Sequence, residues 1–346
     1  MNTSSEPSAS YRTPSWFVEL FGLGRAEEGQ TITLGGQEFV IRGGIPRSRR
    51  LLSESQDQTA NAFGFKWHQR QTFEGEALMN QFQEWLETKY GRIDPDGWFK
   101  DLGPRPLVLD AGCGAAMGGL ALLHRVLPHC RYLGVDVSNA VDVAAQRFAE
   151  RGLEAGFLQV DLMAVPLQER SVDVVFSEGV LHHTDSTERA LKAVAKLLRP
   201  GGRFLFYVYR RKGPIREFTD DYIRDQLQAM APAAAWEVLK PLTQLGKTLG
   251  ELDVEIDIPE PIAVLGIPAG RINVQRFFYW HVAKAFYGPH LSFDEMHHLN
   301  FDWYAPKNAH RQSAEEVRAW CRDAGMTIEH EKVEDPGITV IARKAA

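Results

Sequence analysis

Between Leu107 and Tyr209 short apolar runs alternate with amphipathic stretches. The runs are LVLD (107–110), YLGVDV (132–137), GFLQVD (156–161), DVVFSEG (173–179) and RFLFYVY (203–209). They are rich in Val, Leu, Phe and Tyr and lack polar alternation, which fits strands buried on both faces. GGLALLHRVL follows the first run, AVDVAAQRFAERG the second and STERALKAVAKLL the fourth. Strand–helix alternation at this spacing predicts an α/β fold with a parallel sheet covered by helices on both sides. Asp185 with Glu188 reads as a capping box, Gly152 as a helix stop, and RPGG (199–202) as the turn into the fifth strand. The pattern returns near the C-terminus. SAEEVRAWCRDAG carries a second capping box, Ser313 with Glu316, and stops at Gly325. TIEHEKVE and ITVIARK, joined by DPG, predict a terminal hairpin.

Two regions stand outside this alternation. Residues 1–100 read as an N-terminal lobe, with a small β unit in QTITLGGQEFVIRGGIPR and a helix in EALMNQFQEWLETKYG that ends at Gly91. Residues 101–346 then form the main domain. Within it, 210–312 is a long, mostly helical insertion divided by the Pro-rich DIPEPIAVLGIPAG.

Composition narrows the function classes. The chain has 346 residues and a net charge of −6, so overall charge gives no pull towards nucleic acid or an anionic membrane. Its three cysteines are distant from one another and show no metal-ligand spacing, which predicts a reducing, cytoplasmic setting and no zinc site. MNTSSEPSAS predicts disorder rather than a secretory signal, and no apolar run is long enough to span a membrane.

The chemistry concentrates at the ends of the first three runs. A glycine turn after a buried strand lets the backbone approach a ligand closely, and the next helix offers unpaired N–H groups. Gly112, Gly114 and Gly118 give GxGxxxG, one residue longer than a dinucleotide fingerprint. Asp110 precedes the loop, where a pyrophosphate gains nothing from a carboxylate but an ammonium does. Asp136 ends the second run and suits ribose hydroxyls. Asp161 ends the third and suits an amino group such as adenine N6. An amino acid end, a ribose and an adenine without phosphates describe S-adenosylmethionine. The plainer readings are a bare strand–helix turn for the glycines and, for Asp136 taken alone, a solvated strand end; the acids around the glycines favour the ligand reading.

VLDAGCGAAMGG, GVDVS, LQVDL, DVVFSEGVLHH and LLRPGGRF, in that order, resemble the successive motifs of the class I S-adenosylmethionine-dependent methyltransferases, nearest the type 11-like small-molecule branch. The resemblance covers about 105–210 and 313–345. It implies a Rossmann-like sheet of seven strands in order 3-2-1-4-5-7-6, with only strand 7 antiparallel. It also implies that Asp110, Gly112 and Gly114 hold the methionine moiety and that Asp136 with Val137 takes the ribose. Asp161 with Leu162 would border the adenine, Glu178 and Gly179 would lie beside the sulfonium, and His183 would be structural or lie against the cofactor. The AAM after Gly114 departs from the commoner pattern.

Methyl transfer asks mainly for alignment, with a base where the acceptor carries a proton. His182 follows the fourth run directly and is a candidate base. The insertion interleaves polar and aromatic residues as a small-molecule pocket requires. It supplies Tyr222, Asp302 and Tyr304 as further catalytic candidates, and Arg276, Tyr279, His281 and Arg311 as candidate substrate contacts. FGFKWHQRQ (63–71) offers Phe65 and Trp67 as a lid or as core packing. Two short basic runs, RSRR (47–50) and YRRKGPIR (209–216), admit an RNA substrate, although the second could meet an anionic small molecule. The sequence thus predicts a methyltransferase of a small metabolite. The alternatives are an RNA or protein methyltransferase, a non-catalytic cofactor binder and a nicotinamide-dependent enzyme.

Overall fold

The computed structural model describes residues 11–24 and 27–345; the segment predicted to be disordered lies outside them. Helix α1 (Ser15–Leu20) leads into strands β1 (Thr31–Leu34), β2 (Gln37–Arg42) and β3 (Ile45–Ser48), then α2 (Glu54–Trp67) and α3 (Glu76–Tyr90). The alternating region follows as β4 (Leu107–Ala111), α4 (Met117–Leu122), β5 (Arg131–Asp136), α5 (Val141–Glu150), β6 (Ala155–Gln159), β7 (Val172–Glu178), α6 (Thr187–Leu197) and β8 (Leu198–Tyr209). The insertion comprises α7 (Pro214–Leu227), α8 (Pro232–Glu251), the pair β9 (Glu255–Ile258) and β10 (Gly270–Asn273), α9 (Val274–His281) and α10 (Phe293–Tyr304). The chain closes with α11 (Ala314–Asp323), β11 (Met326–Val333) and β12 (Gly337–Lys344).

Every residue of β4 is buried, as expected of a strand covered on both faces. Reading across the sheet, β6-β5-β4-β7-β8-β12-β11 reproduces the expected order 3-2-1-4-5-7-6. Strand β12 runs antiparallel to both its neighbours, and the other contacts within this set are parallel.

The sheet nevertheless has ten strands. The N-terminal strands do not form a unit of their own: β3 pairs with β6 through Arg47 and Gln159, so β1–β3 extend the same sheet. Two glycine-free facts seal this join. Arg47 hydrogen-bonds the Gln159 side chain at 2.8 Å, and Phe17 is fully buried in the main core. A Cβ on Gly156 would stand 2.2 Å from the Phe17 ring, so the glycine in β6 makes room for the helix before it.

Local signals held in part. Gly91, Gly152 and Gly325 end their helices with φ of +73°, +63° and +66°. Ser313 and Glu316 form the expected capping box. Asp185 does not cap α6: Ser186 accepts the Arg189 N–H instead, and Asp185 accepts from Ser53, Ser55 and Asn308. RPGG lies inside β8, where the β7–β8 register shifts, and the helix after β4 stops at Leu122.

Helix α10 was hidden because its polar residues face inward. His297 bonds Thr243 at 2.8 Å, His298 bonds Thr72 at 2.7 Å, and the Asn300 side-chain carbonyl accepts the Phe286 N–H at 2.9 Å. A capping box of Ser292 and Glu295 starts the helix.

Phe17→Ala is expected to destabilise the protein by about 3–5 kcal/mol, the usual range for emptying a buried phenylalanine site. Chemical denaturation checks this, and a loss below about 1 kcal/mol would show that the N-terminal helix is not part of the core.

Candidate functional site

The carboxyl ends of β4, β5, β6 and β7 open into one cavity of about 510 Å³ that the insertion covers. This is where open α/β sheets hold ligands. After β4 the chain turns through Gly112 at φ +85° and Gly114 at φ +52°. A Cβ at Gly112 would lie 2.0 Å from Val180, and one at Gly114 would lie 2.6 Å from the Trp67 indole nitrogen. Both positions therefore require glycine for space as well as for backbone conformation.

The strand-tip acids differ in their surroundings. Asp110 is buried and accepts the Tyr132 hydroxyl; burial pushes its carboxyl up to about 7. Asp136 accepts the Gly114 N–H at 2.8 Å, the Ser138 N–H at 2.8 Å and the Ser138 hydroxyl at 2.6 Å. Burial raises its pKa and these donors oppose the rise. Asp161 caps the turn after β6 by accepting the Met163 N–H at 2.9 Å, with Leu162 beside it on the wall. Glu178 accepts the Tyr90 hydroxyl at 2.5 Å and pairs with Lys89. All ten residues expected to meet the cofactor line this cavity: Asp110, Gly112, Gly114, Asp136, Val137, Asp161, Leu162, Glu178, Gly179 and His183.

The candidates for the transfer step separate more sharply. Asp302 lines the cavity. Burial alone would raise its pKa, but the ammonium groups of Lys66 and Lys284 hold it well below the usual carboxylate range. Arg276 and Tyr279 also line the cavity. His182 does not: its ring stacks on Tyr209 at 3.6 Å, and its Nδ1 accepts the Tyr209 N–H at 3.3 Å. Tyr222 is 58% exposed on the outer side of α7, away from the cavity lining. Tyr304 is fully buried and donates to Asp220 at 2.6 Å, which makes it a packing residue of the insertion. His281 stacks on Phe277 at 5.3 Å and does not reach the wall. Arg311 is held by Asp221 at 2.7 Å in a separate outer cleft.

His183 sits differently from its neighbour. Its Nδ1–H donates to the Asn308 carbonyl at 2.6 Å, which leaves the lone pair on Nε2. No described residue bonds that Nε2. Burial pulls the imidazole down to about 4.

Several contributors were not anticipated. Trp67 lines the cavity as expected of a lid residue, but Phe65 turns away and packs on Trp236 and Phe301. Lys66 reaches in beside Trp67 and pairs with Asp302. Lys89 lies between the rings of Trp85 and Tyr207, at 3.6 and 3.5 Å from their centres. Lys284 and Trp303 complete the far wall. A lysine flanked by aromatics, as in FKW and WLETKY, is the signal that these cations are buried. Among the described residues no three His, Cys, Asp or Glu side chains converge as a metal site, and no helix is long and apolar enough to cross a membrane.

Residues 109–206 match the family model described as a methyltransferase domain. The chain is 30% identical over 156 residues to a fatty-acid O-methyltransferase of Mycolicibacterium smegmatis, covering 44% of this chain and 55% of that protein. It is 34% identical over 131 residues to a tRNA (carboxymethyluridine(34)-5-O)-methyltransferase of Mus musculus, covering 37% of this chain and 18% of that protein. Among solved structures it resembles a phosphoethanolamine N-methyltransferase 2 of Haemonchus contortus, at 13% identity and a TM-score of 0.48, covering 87% of this chain and 62% of that one. The chain thus spans about half or less of the curated relatives named here. The family match spans β4 into β8, the part of the sheet that carries the glycine loop and the strand-tip acids: residues 109–206 are a methyltransferase domain.

Proposed function

We propose that this protein transfers a methyl group from S-adenosylmethionine to a small-molecule acceptor held beneath the insertion. The observation that carries this reading is the single cavity shared by the strand-tip acids and the insertion side chains. At about 510 Å³ it is of a size that suits small ligands. The basic runs support the same reading, because much of their charge is spent within the protein. Arg47 pairs with Asp142, Arg49 with Glu38, Arg210 with Asp335 and Arg211 with Glu316. They do not make the broad basic face expected of a nucleic-acid enzyme.

The residues present suit the cofactor. The loop at Gly112 and Gly114 leaves no room for side chains, so backbone can meet the ligand directly. Asp136 would accept the ribose hydroxyls, Asp161 the adenine amino group, and Asp110 would face the ammonium end. When bound, S-adenosylmethionine supplies an electrophilic methyl group whose carbon–sulfur bond breaks as the acceptor's lone pair forms the new bond. The insertion excludes water and holds the acceptor in line. His183, which lines the cavity and keeps its Nε2 unbonded among the described residues, would receive the proton displaced from the acceptor. A hydroxyl becomes a strongly acidic oxonium as it is methylated, so for that acceptor a weak base suffices. His182, which lies outside the cavity, has no such part.

Two outcomes follow from this assignment. Asp136→Ala is expected to weaken S-adenosylhomocysteine binding about tenfold or more, as loss of charge-assisted hydrogen bonds does; unchanged affinity by calorimetry would remove Asp136 from the ribose site. The His183 imidazole is expected to stay neutral until the pH falls to about 4. Its folded pKa lies below the unfolded value of about 6.5, so its contribution to stability is present above about pH 6.5 and fades as pH falls towards 4. Imidazole NMR signals that titrate near 6.5 in the folded protein would contradict the buried geometry.

A further inference from the structure

The far wall of the cavity carries more positive charge than the protein neutralises. Four cations that line the cavity gather round two rings. Lys284, Arg216 and Lys212 lie 5.1, 5.4 and 5.8 Å from the centre of Trp303. Arg216 and Arg276 lie 5.1 and 5.4 Å from the centre of Tyr279. All six side chains line the cavity.

The nearby carboxylates are already engaged. Asp220 is fully buried and accepts from Arg216 at 2.6 Å, the Trp303 indole at 2.8 Å and the Tyr304 hydroxyl at 2.6 Å. Asp302 is paired with Lys66. None of the remaining cations has a carboxylate at ion-pair distance among the described residues, although Asp302 and Asp220 act on Lys284, and Asp220 and Asp335 on Lys212, from further off. Lys212 donates to the carbonyls of Asp335 and Pro336, and Arg276 donates to the Tyr287 carbonyl at 2.8 Å. The Lys284 ammonium has no hydrogen-bond or ion-pair partner among the described residues. Removing cations from water without a counter-charge is unfavourable, and an arriving anion relieves it.

We propose, building on the methyltransferase reading above, that the acceptor carries an anionic oxygen group, a carboxylate or a phosphate, which Lys284, Arg276 and Lys212 hold while its apolar body lies against Trp303 and Tyr279. Burial pulls Lys284 down to about 8 and Lys212 to about 7, as expected of ammonium groups short of a counter-ion. The Arg276 fork suits either oxygen geometry. The cavity is therefore divided by charge. The end that receives the positively charged cofactor is acidic, and the end that receives the acceptor is basic. This division also keeps the two ligands from exchanging places.

The test measures binding of benzoate and phenyl phosphate by calorimetry, with and without S-adenosylhomocysteine, against benzyl alcohol and benzylamine as controls. At least one anion is expected to bind while both controls stay silent, and the stronger of the two tells carboxylate from phosphate. Lys284→Gln and Arg276→Gln are each expected to weaken that anion about tenfold, with S-adenosylhomocysteine affinity retained as evidence of folding. Neither anion binding, benzyl alcohol or benzylamine binding as well as the anions, or both variants keeping full anion affinity would overturn the proposal. Anion binding without any S-adenosylhomocysteine binding would instead refute the methyltransferase reading and leave the anion site standing.

Discussion

The buried pair of Lys66 and Asp302 joins parts of the chain that local sequence does not bring together. Lys66 stands at the end of α2, before the alternating region begins, and Asp302 lies in α10, near the end of the insertion. Asp302 also accepts the Tyr209 hydroxyl from the end of β8 at 3.3 Å. Sheet, leading helix and insertion thus meet at one carboxylate on the cavity wall. The Lys66 side chain is only 3% exposed, so its charge cannot turn to bulk water if Asp302 is lost. Removing one partner of such a pair commonly costs about 3–5 kcal/mol, far more than an exposed pair is worth. The pair is thus a condition for the roof to close as much as a feature of the site.

Once the roof is closed, charge organises the interior. The acids on the sheet side sit on strand tips and are fixed by backbone donors, as at Asp136, or by phenols, as at Asp110 and Glu178. The cations on the insertion side come from α7 and the turn before it, and from α9 and the segment just after it. Low dielectric strengthens each contact and makes each unmatched charge unfavourable. A ligand pair of complementary charge fits this arrangement. Lys89 shows how closely the protein manages the same balance. It is fully desolvated between two rings, pulled down to about 8 by burial, and still offsets Glu178.

The sheet side of the cavity was legible because strands end at a common edge. An acid that closes an apolar run in a parallel sheet lands at the carboxyl rim whatever the rest of the chain does, so Asp110, Asp136 and Asp161 were placed by pattern alone. The insertion half offered no such rule. Asp302 and Tyr304 are two positions apart on one helix, which turns the first to the cavity and the second to Asp220. His182 and His183 are adjacent, yet only the second reaches the wall. Helix α10 buries its histidines and asparagine against specific partners, so its polar positions imitate a loop in the sequence. Lys66, Lys89 and Lys284 escaped notice because a lysine ordinarily marks a solvated face. The ends of the sheet were misjudged for a related reason: β1–β3 look self-contained until β6 is seen to need a neighbour at its open edge.

A crystal structure of the protein with S-adenosylhomocysteine tests the central claim most directly. The account predicts ribose hydroxyls within hydrogen-bonding reach of Asp136 and a sulfur atom directed across the cavity towards Trp303 and Lys284. Density for the ligand outside this cavity, or a sulfur turned away from the cationic wall, would contradict it.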